Sequence, residues 1–172
     1  MRSIPDAEPA PVTSRILLDA GVFIGALLAG DPRHAEARPL VERARQGILL
    51  ACTTAGILSE VYGGLTWEKA EPRQDPATAA EAVRLLVEPP SAVIVLSEDL
   101  EVGLRTLALA TTHQLTGRRI HDARHAAAAL VAGVTGVYTY DVDDWHVFAA
   151  DGLRIVGPPS TMSQLGQQVR ER

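Results

Sequence analysis

The sequence predicts an α/β fold with three layers, in which a central, mostly parallel, doubly wound sheet lies between helices. Short apolar runs typical of buried strands alternate along the chain with segments of helical spacing. This alternation favours βαβ units, because parallel strands need a long crossover that a helix supplies. A length of 172 residues is sufficient for one domain with its own core.

Apolar runs of three to four residues are the candidate strands. They are Arg15-Ile16-Leu17-Leu18, Ile48 to Ala51, Val93-Ile94-Val95-Leu96, Val137-Tyr138-Thr139-Tyr140 and, more weakly, Leu153-Arg154-Ile155-Val156. Continuous short runs are expected for strands that helices cover on both faces. The first and fourth runs are each followed directly by an aspartate.

Helical spacing is found between these runs. The residues that recur at intervals of three to four are Leu100, Leu104, Leu107, Thr111 and Leu115, then Ala123, Ala127, Leu130 and Val134. A stripe of Ile57, Val61 and Leu65 marks the stretch Thr54 to Leu65, and Ala80, Val83 and Val87 follow Asp75-Pro76. These spacings predict helices with one apolar face each.

The predicted domain covers residues 15–158. Residues 1–14 are rich in Pro and Ala and are expected to be a disordered N-terminal tail, and residues 159–172 are expected to be a polar C-terminal tail. The single cysteine, Cys52, stands in an apolar run and is expected to be a buried thiol, which fits a reducing compartment. Because neither a secretory signal nor a membrane-spanning run is recognisable, we expect a cytoplasmic protein without a membrane partner.

Charge limits the possible partners only weakly. The formal net charge of −5 argues against a protein that coats nucleic acid through bulk electrostatics. It leaves room for an enzyme that binds RNA locally.

Four acidic residues are expected to meet at one edge of the sheet: Asp19, Glu60, Asp122 and Asp141. Ligands of open α/β sheets bind beyond the carboxyl ends of the strands. Asp19 and Asp141 directly follow strands. Glu60 lies beside the buried stripe of its helix, and Asp122 opens the alanine-rich helix, so both can face the same edge.

Each of these acids has another explanation when it is considered alone. An aspartate after a strand is often a turn residue or a helix N-cap, an aspartate at a helix start complements the dipole, and a glutamate beside an apolar stripe is often solvated. Their joint placement favours a site. Clustered carboxylates repel one another unless a cation neutralises them, and oxygen ligands suit Mg²⁺ or Mn²⁺. Such ions support phosphodiester hydrolysis.

These segments resemble the PIN-domain ribonucleases, and most of all the VapC-type toxins of toxin–antitoxin pairs. The motifs that carry the resemblance, which extends from about Arg15 to Pro158, are Ile16-Leu17-Leu18-Asp19 with Val22-Phe23-Ile24, Ser59-Glu60-Val61-Tyr62, Ile120-His121-Asp122-Ala123, and Tyr138-Thr139-Tyr140-Asp141-Val142-Asp143-Asp144-Trp145. The resemblance implies a doubly wound α/β/α fold and Mg²⁺- or Mn²⁺-dependent endonucleolytic cleavage of structured RNA. It also implies a homodimer and a cognate antitoxin whose tail covers the active site.

The resemblance also implies roles for individual residues. Asp19, Glu60, Asp122 and Asp141 take the catalytic metal-ligand positions, and Asp144 is a further carboxylate of the metal site. The family's pattern is broken directly after the first aspartate, where Ala20-Gly21 stand in place of Ser or Thr followed by Asn or Ser. A hydroxyl that could support the metal shell is therefore missing.

The supporting residues have less specific signals. Arg118 and Arg119 could pair with RNA phosphates or form a solvated pair at a helix start, and His121 could contact the substrate or serve in packing. Trp145 and Phe148 are expected to pack against the core. The remaining helical histidines, His34, His113 and His125, are expected at the surface.

Other enzyme classes are disfavoured by missing motifs. A haloacid-dehalogenase-type hydrolase needs an aspartate where Gly21 stands, and Lys69 is misplaced for a receiver domain. Neither a P-loop nor a Rossmann glycine pattern is present. Two alternatives stay open: a PIN-type RNA-binding or protein-interaction module without hydrolytic activity, and an RNA-processing nuclease without a toxin role. The presence of all four acids favours hydrolysis.

Overall fold

The computed structural model describes residues 15–170, and its centre is a five-stranded parallel sheet in the order β3-β2-β1-β4-β5. The strands are β1 (Ile16–Leu18), β2 (Ala51–Thr54), β3 (Ile94–Leu96), β4 (Gly136–Tyr138) and β5 (Arg154–Gly157). The chain runs outward from β1 to β3 and then returns to the other side of β1. The topological switch point therefore lies between β1 and β4, where a ligand is expected to bind.

Helices connect the strands and cover the sheet. They are α1 (Ala20–Leu27), α2 (His34–Arg45), α3 (Ala55–Thr66), α4 (Pro76–Val87), α5 (Leu100–Thr112), α6 (Arg119–Val131), α7 (Val142–Trp145), a 3₁₀ helix (His146–Asp151) and α8 (Pro159–Arg170). Right-handed crossovers place helices on opposite faces when the strand order reverses. Consistently, α1 packs on α2 and α3, whereas α5 packs on α6. The predicted doubly wound, three-layer α/β/α fold is confirmed.

Four strands overlap the apolar runs that predicted them, although β4 already ends at Tyr138, and the prediction for the second strand was wrong in position. β2 begins at Ala51, where the predicted run ended, and Ala51 pairs with Ile16 in the ladder. Ile48 and Leu49 instead donate their backbone N–H groups to the Arg43 carbonyl and close the end of α2. Ile48 is accordingly 62% exposed. The apolar run Ile48 to Ala51 thus serves two elements, since its first two residues close the end of α2 and its last residue begins β2.

The core agrees with several expectations for single residues. The stripe Ile57, Val61 and Leu65 is fully buried on α3. Cys52 is also buried, and burial raises the pKa of its thiol to about 12, which makes it chemically inert. Trp145 and Phe148 pack edge to face with ring centroids 5.9 Å apart, which holds the segment after Asp141 against the sheet.

Helix α5 forms as predicted, yet its leucine stripe faces solvent. Leu100, Leu104 and Leu107 are 60% exposed or more, whereas Val102 and Leu109 face α6 and the sheet. The leucine period indicated a helix correctly. It did not indicate the face that packs.

The polar segment that begins at residue 159, expected to be a tail, forms α8 instead. Its first turn is attached to the domain because Ser160 donates its backbone N–H and its hydroxyl to Glu36 of α2, at 2.9 and 2.7 Å. Thr161 also donates to the Thr139 carbonyl. The predicted N-terminal tail, residues 1–14, lies outside the described residues. Between Ala20 and Arg170, no helix has both the length and the apolar character to cross a membrane.

Candidate functional site

Asp19 is held rigidly at the end of β1, at the switch point of the sheet. It is the N-cap of α1, and one carboxylate oxygen accepts a hydrogen bond from the Ala20 backbone N–H at 2.8 Å. The other oxygen accepts the Thr139 hydroxyl at 2.7 Å, and the side chain is buried. Thr139 Oγ1 also accepts the backbone N–H of Asp141 at 3.0 Å. One threonine thus links the two strand-end aspartates, a role that the sequence analysis did not assign to it.

Asp122 lies opposite these aspartates, in the first turn of α6. Together with Asp19, Glu60 and Asp141 it lines a cavity of about 340 Å³ at the carboxyl ends of β1 and β4. The four acids that the sequence singled out therefore share one cavity. Asp144 lies beyond the rim of this cavity, where its carboxylate is 3.2 Å from Nε of Arg119.

The three aspartates of the cavity resist ionisation. Burial, followed by the charges of Asp19, Asp144 and Asp141, raises the pKa of Asp122 to about 7. Burial also raises the pKa of Asp19, and this effect outweighs its hydrogen bonds to Thr139 and Ala20. Partial burial and the charge of Asp144 raise the pKa of Asp141. Arg33 also lines the cavity but is paired with Asp31, so a bound cation would supply the positive charge that these aspartates need.

Glu60 is oriented by a buried histidine. His125 is fully buried, and its Nε2 lies 2.8 Å from Oε1 of Glu60. Its Nδ1 lies 2.9 Å from the hydroxyl of Thr54, which accepts the Ile57 backbone N–H as the N-cap of α3. In the tautomer that carries its proton on Nε2, His125 donates to the carboxylate of Glu60, and the Thr54 hydroxyl donates to Nδ1.

The expectation that the helical histidines lie at the surface was wrong. His125 occupies a position on α6 flanked by buried alanines, which leave the space that an imidazole fills. His113 pairs with Asp151 at 2.6 Å, and His34 Nδ1 lies 2.9 Å from the Gly25 carbonyl oxygen. The alanine-rich surroundings of His125 in the sequence were the one signal for its burial.

A second cavity, to which three arginines contribute, adjoins the first and shares Glu60 and Asp122 with it. It measures about 590 Å³, and its further lining residues are Gly56, Ser59, Arg118, Arg119, His121, Arg124 and Asp144. The structure thus places Arg118, Arg119 and His121 beside the carboxylates. Arg124, which the sequence analysis did not single out, belongs to the same wall and pairs with Glu98 at 3.2 Å.

Comparison with known proteins assigns the chain to a family. The sequence model of the PIN domain matches residues 16–150. This chain belongs to the PIN-domain family. Among curated proteins, none matches the sequence.

A solved structure shares the fold of this PIN domain. The crystal structure of Mycobacterium tuberculosis VapC20, described as a toxin that cleaves the sarcin–ricin loop, superposes with a TM-score of 0.62 at 21% sequence identity. The match covers 83% of this chain and 99% of that chain. At this identity the likeness shows the fold alone. The resemblance to PIN domains and to the fold of a VapC-type toxin is thereby confirmed.

Divalent metals are the cofactors that the PIN family implies, and the donor chemistry of the cavity fits them. The facing groups are carboxylate oxygens, which are the ligands that hard divalent cations prefer. Within residues 15–170, however, no three His, Cys, Asp or Glu side chains stand at a spacing that would enclose one ion. This arrangement suits Mg²⁺, which often binds one or two carboxylates and retains several waters.

Proposed function

We propose that this PIN domain is a Mg²⁺- or Mn²⁺-dependent endoribonuclease that hydrolyses RNA phosphodiester bonds, and that it acts in the cytoplasm as the toxin of a toxin–antitoxin pair. The observation that carries the proposal is the shared cavity of Asp19, Glu60, Asp122 and Asp141 at the switch point of the sheet. Burial and neighbouring acids raise the pKa of Asp122 in this cavity, and a second cavity that three arginines line lies directly beside it.

One or two of the four carboxylates would bind the metal directly, the others would hold it through its waters, and Asp144 would assist from the rim of the second cavity. A bound divalent ion would polarise the scissile phosphate and favour ionisation of the attacking water. Two hydrogen bonds keep Asp19 in one orientation, and the imidazole of His125 does the same for Glu60. The chain therefore prearranges its oxygen ligands from both sides of the cavity, which limits reorganisation when the substrate binds.

The second cavity would receive the RNA backbone next to the scissile bond. Arg118 and His121 are exposed there, and Arg119 is held by Asp144 until a phosphate competes for it. Guanidinium groups suit this task because they bind phosphate oxygens through paired N–H donors. Such contacts are local, and they are compatible with the overall net charge of −5.

The decisive experiment compares the purified protein and its Asp122→Asn variant on total RNA with Mg²⁺, Mn²⁺ or EDTA. We expect metal-dependent cleavage by the wild type and its loss in the variant. Asp143→Asn is the matched control, because Asp143 is an exposed aspartate of the same acidic segment that lines neither cavity. Inert wild-type protein that is folded and free of antitoxin would favour the binding-module alternative. Equal cleavage by wild type and Asp122→Asn would indicate a contaminating nuclease.

The toxin role requires a protein partner that inhibits the enzyme. A short reading frame adjacent to the gene, whose product copurifies with this chain and blocks cleavage, would support that role. Cleavage that no neighbouring product inhibits would favour a nuclease that processes RNA.

A second copy of the chain is the partner we propose for the exposed face of α5. The stripe Leu100, Leu104 and Leu107 is an apolar surface next to buried core residues of the same helix. We expect sedimentation equilibrium to show a dimer that Leu104→Arg dissociates. Glu101→Gln, a change at an exposed position on the same helix, should leave it intact. A monomeric wild type would contradict this assignment without affecting the nuclease proposal.

A further inference from the structure

Arg33, the residue that precedes α2, is fixed beside the carboxylate cavity by contacts on two sides. Its Nε and Nη2 atoms donate to the two carboxylate oxygens of Asp31 at 2.8 and 2.6 Å. Its guanidinium lies 5.4 Å from the centroid of the Tyr140 ring. Tyr140 is held in turn, because its hydroxyl donates to Glu36 at 2.8 Å. Arg33 is therefore an oriented side chain and not a freely moving surface arginine.

The remaining nitrogen of the guanidinium, Nη1, lies beside Gly21, which lines the carboxylate cavity together with Arg33. Nη1 donates no hydrogen bond to any residue between 15 and 170, although Arg33 lines the same cavity as Asp19, Asp122 and Asp141. It lies over Gly21, where an added Cβ atom would be only 2.9 Å away. The absence of a side chain at position 21 is thus the reason that Nη1 can occupy this place.

We propose that Arg33 binds a phosphate oxygen of the substrate RNA through Nη1, so that the Gly21–Arg33 pair forms a phosphate contact on the α1–α2 side of the cavity. This inference rests on the proposed nuclease function. An arginine whose fork is already fixed by a carboxylate loses little further conformational freedom when it binds an anion. Its positive charge also offsets the repulsion between a phosphate and the surrounding aspartates.

The competing explanation is that Arg33 serves only to hold the loop before α2. Asp31 also accepts the backbone N–H of Arg33 at 2.8 Å, so the ion pair stabilises the loop in any case. A loop role predicts changes in stability and none in RNA binding. A phosphate contact predicts a loss of one ionic contact to RNA.

The test removes the ion pair without changing the net charge. Asp31→Asn combined with Arg33→Ala is introduced into an Asp122→Asn parent, and binding of a fluorescently labelled RNA hairpin is followed by anisotropy in Mg²⁺ at several salt concentrations. We expect the affinity to fall by roughly tenfold. The slope of log affinity against log salt should decrease by about one, as expected for one lost phosphate contact. In the background with Asp122 intact, the Michaelis constant should rise.

Arg84→Ala is the matched control, since Arg84 is an exposed arginine that pairs with Glu81 and Glu88 on α4. It should bind RNA as the parent does. If the double variant folds poorly, Gly21→Ala provides the second route, because its methyl group would displace Nη1 while a helix tolerates alanine well. Parental affinity and salt slope in the double variant or in Gly21→Ala would overturn the assignment. A parent protein that binds no RNA would refute the nuclease proposal itself.

Discussion

The two sides of the carboxylate cavity hold their acids in different ways. On the strand side, Asp19 follows β1 and Asp141 lies three residues beyond β4, and Thr139 joins them: its hydroxyl donates to the carboxylate of Asp19, 120 residues earlier, and accepts the backbone N–H of Asp141. On the helix side, Glu60 is oriented by His125 from another helix, 65 residues further along the chain. The strand side depends on the parallel pairing of β1 with β4, which brings Thr139 to Asp19. The helix side depends on the packing of α3 against α6.

The largest effect is expected from the strand side, at Asp19. Asp19→Asn removes a buried carboxylate that we propose as a metal ligand and should reduce kcat by roughly a thousandfold, since metal assistance is worth several kcal/mol in the transition state. Stability should not fall, because burial raises the pKa of Asp19 and disfavours its charge. Cleavage assays and thermal unfolding of the metal-free protein would measure both. A variant that remains active would exclude Asp19 from the metal site.

The helix side should respond to the loss of His125 with a smaller effect on activity. His125→Phe fills a similar volume but breaks the hydrogen bonds to Glu60 and Thr54, so Glu60 should lose its fixed orientation. We expect activity to fall by roughly 10- to 100-fold, as for other partners of metal ligands. The Mg²⁺ concentration for half-maximal activity should increase. If only stability changed, His125 would serve the core alone.

Thr139→Val is the corresponding change on the strand side. The variant keeps the shape of the side chain but removes the hydroxyl that Asp19 and the Asp141 backbone share. We expect a loss of roughly tenfold in activity, because Asp19 retains its bond from Ala20. A loss of activity larger than that of His125→Phe would show that the carboxylates on the strand side are held less rigidly than Glu60 on the helix side.

The smallest effect is the pH dependence of stability, and it separates Asp122 from its neighbours. Burial raises the pKa of Asp122 from its ordinary value to about 7, so near neutral pH the native state binds a proton that the unfolded chain releases. Its contribution to stability is present at low pH and disappears as the pH rises through about 7. The melting temperature of the metal-free protein should therefore increase from pH 8 to pH 5.

Two comparisons test this assignment. Asp122→Asn should flatten the dependence, because the amide does not titrate. Saturating Mg²⁺ should weaken it, since metal binding requires ionised carboxylates. An equal pH dependence in wild type and Asp122→Asn would show that other groups cause it.

Sequence patterns predicted those parts of the molecule that depend on local periodicity and on the ends of elements. Asp19 and Asp141 were placed correctly because a parallel strand brings its following residue to a known edge. The apolar stripe of α3 indicated that Glu60 lies beside the cavity, because the helical period fixes the position of Glu60 relative to the buried face. Helix α5 was recognised from its leucine spacing, but the exposed position of Leu104 was not. The helical period of an apolar stripe and the face of the helix that packs against the core are separate properties.

The sequence by itself determined the parallel α/β architecture and the meeting of four acids at one sheet edge, because strand ends and helix periods are written in neighbouring residues. The tertiary structure decided the start of β2 at Ala51, the contact of His125 with Glu60 and the placement of Arg33 over Gly21. The two contacts join segments that are separated along the chain. The start of β2 depends on how one apolar run is divided between a helix end and a strand. Local patterns specify which elements form and approximately where they end, whereas only the packed fold specifies which face of a helix is buried and which partner a residue meets.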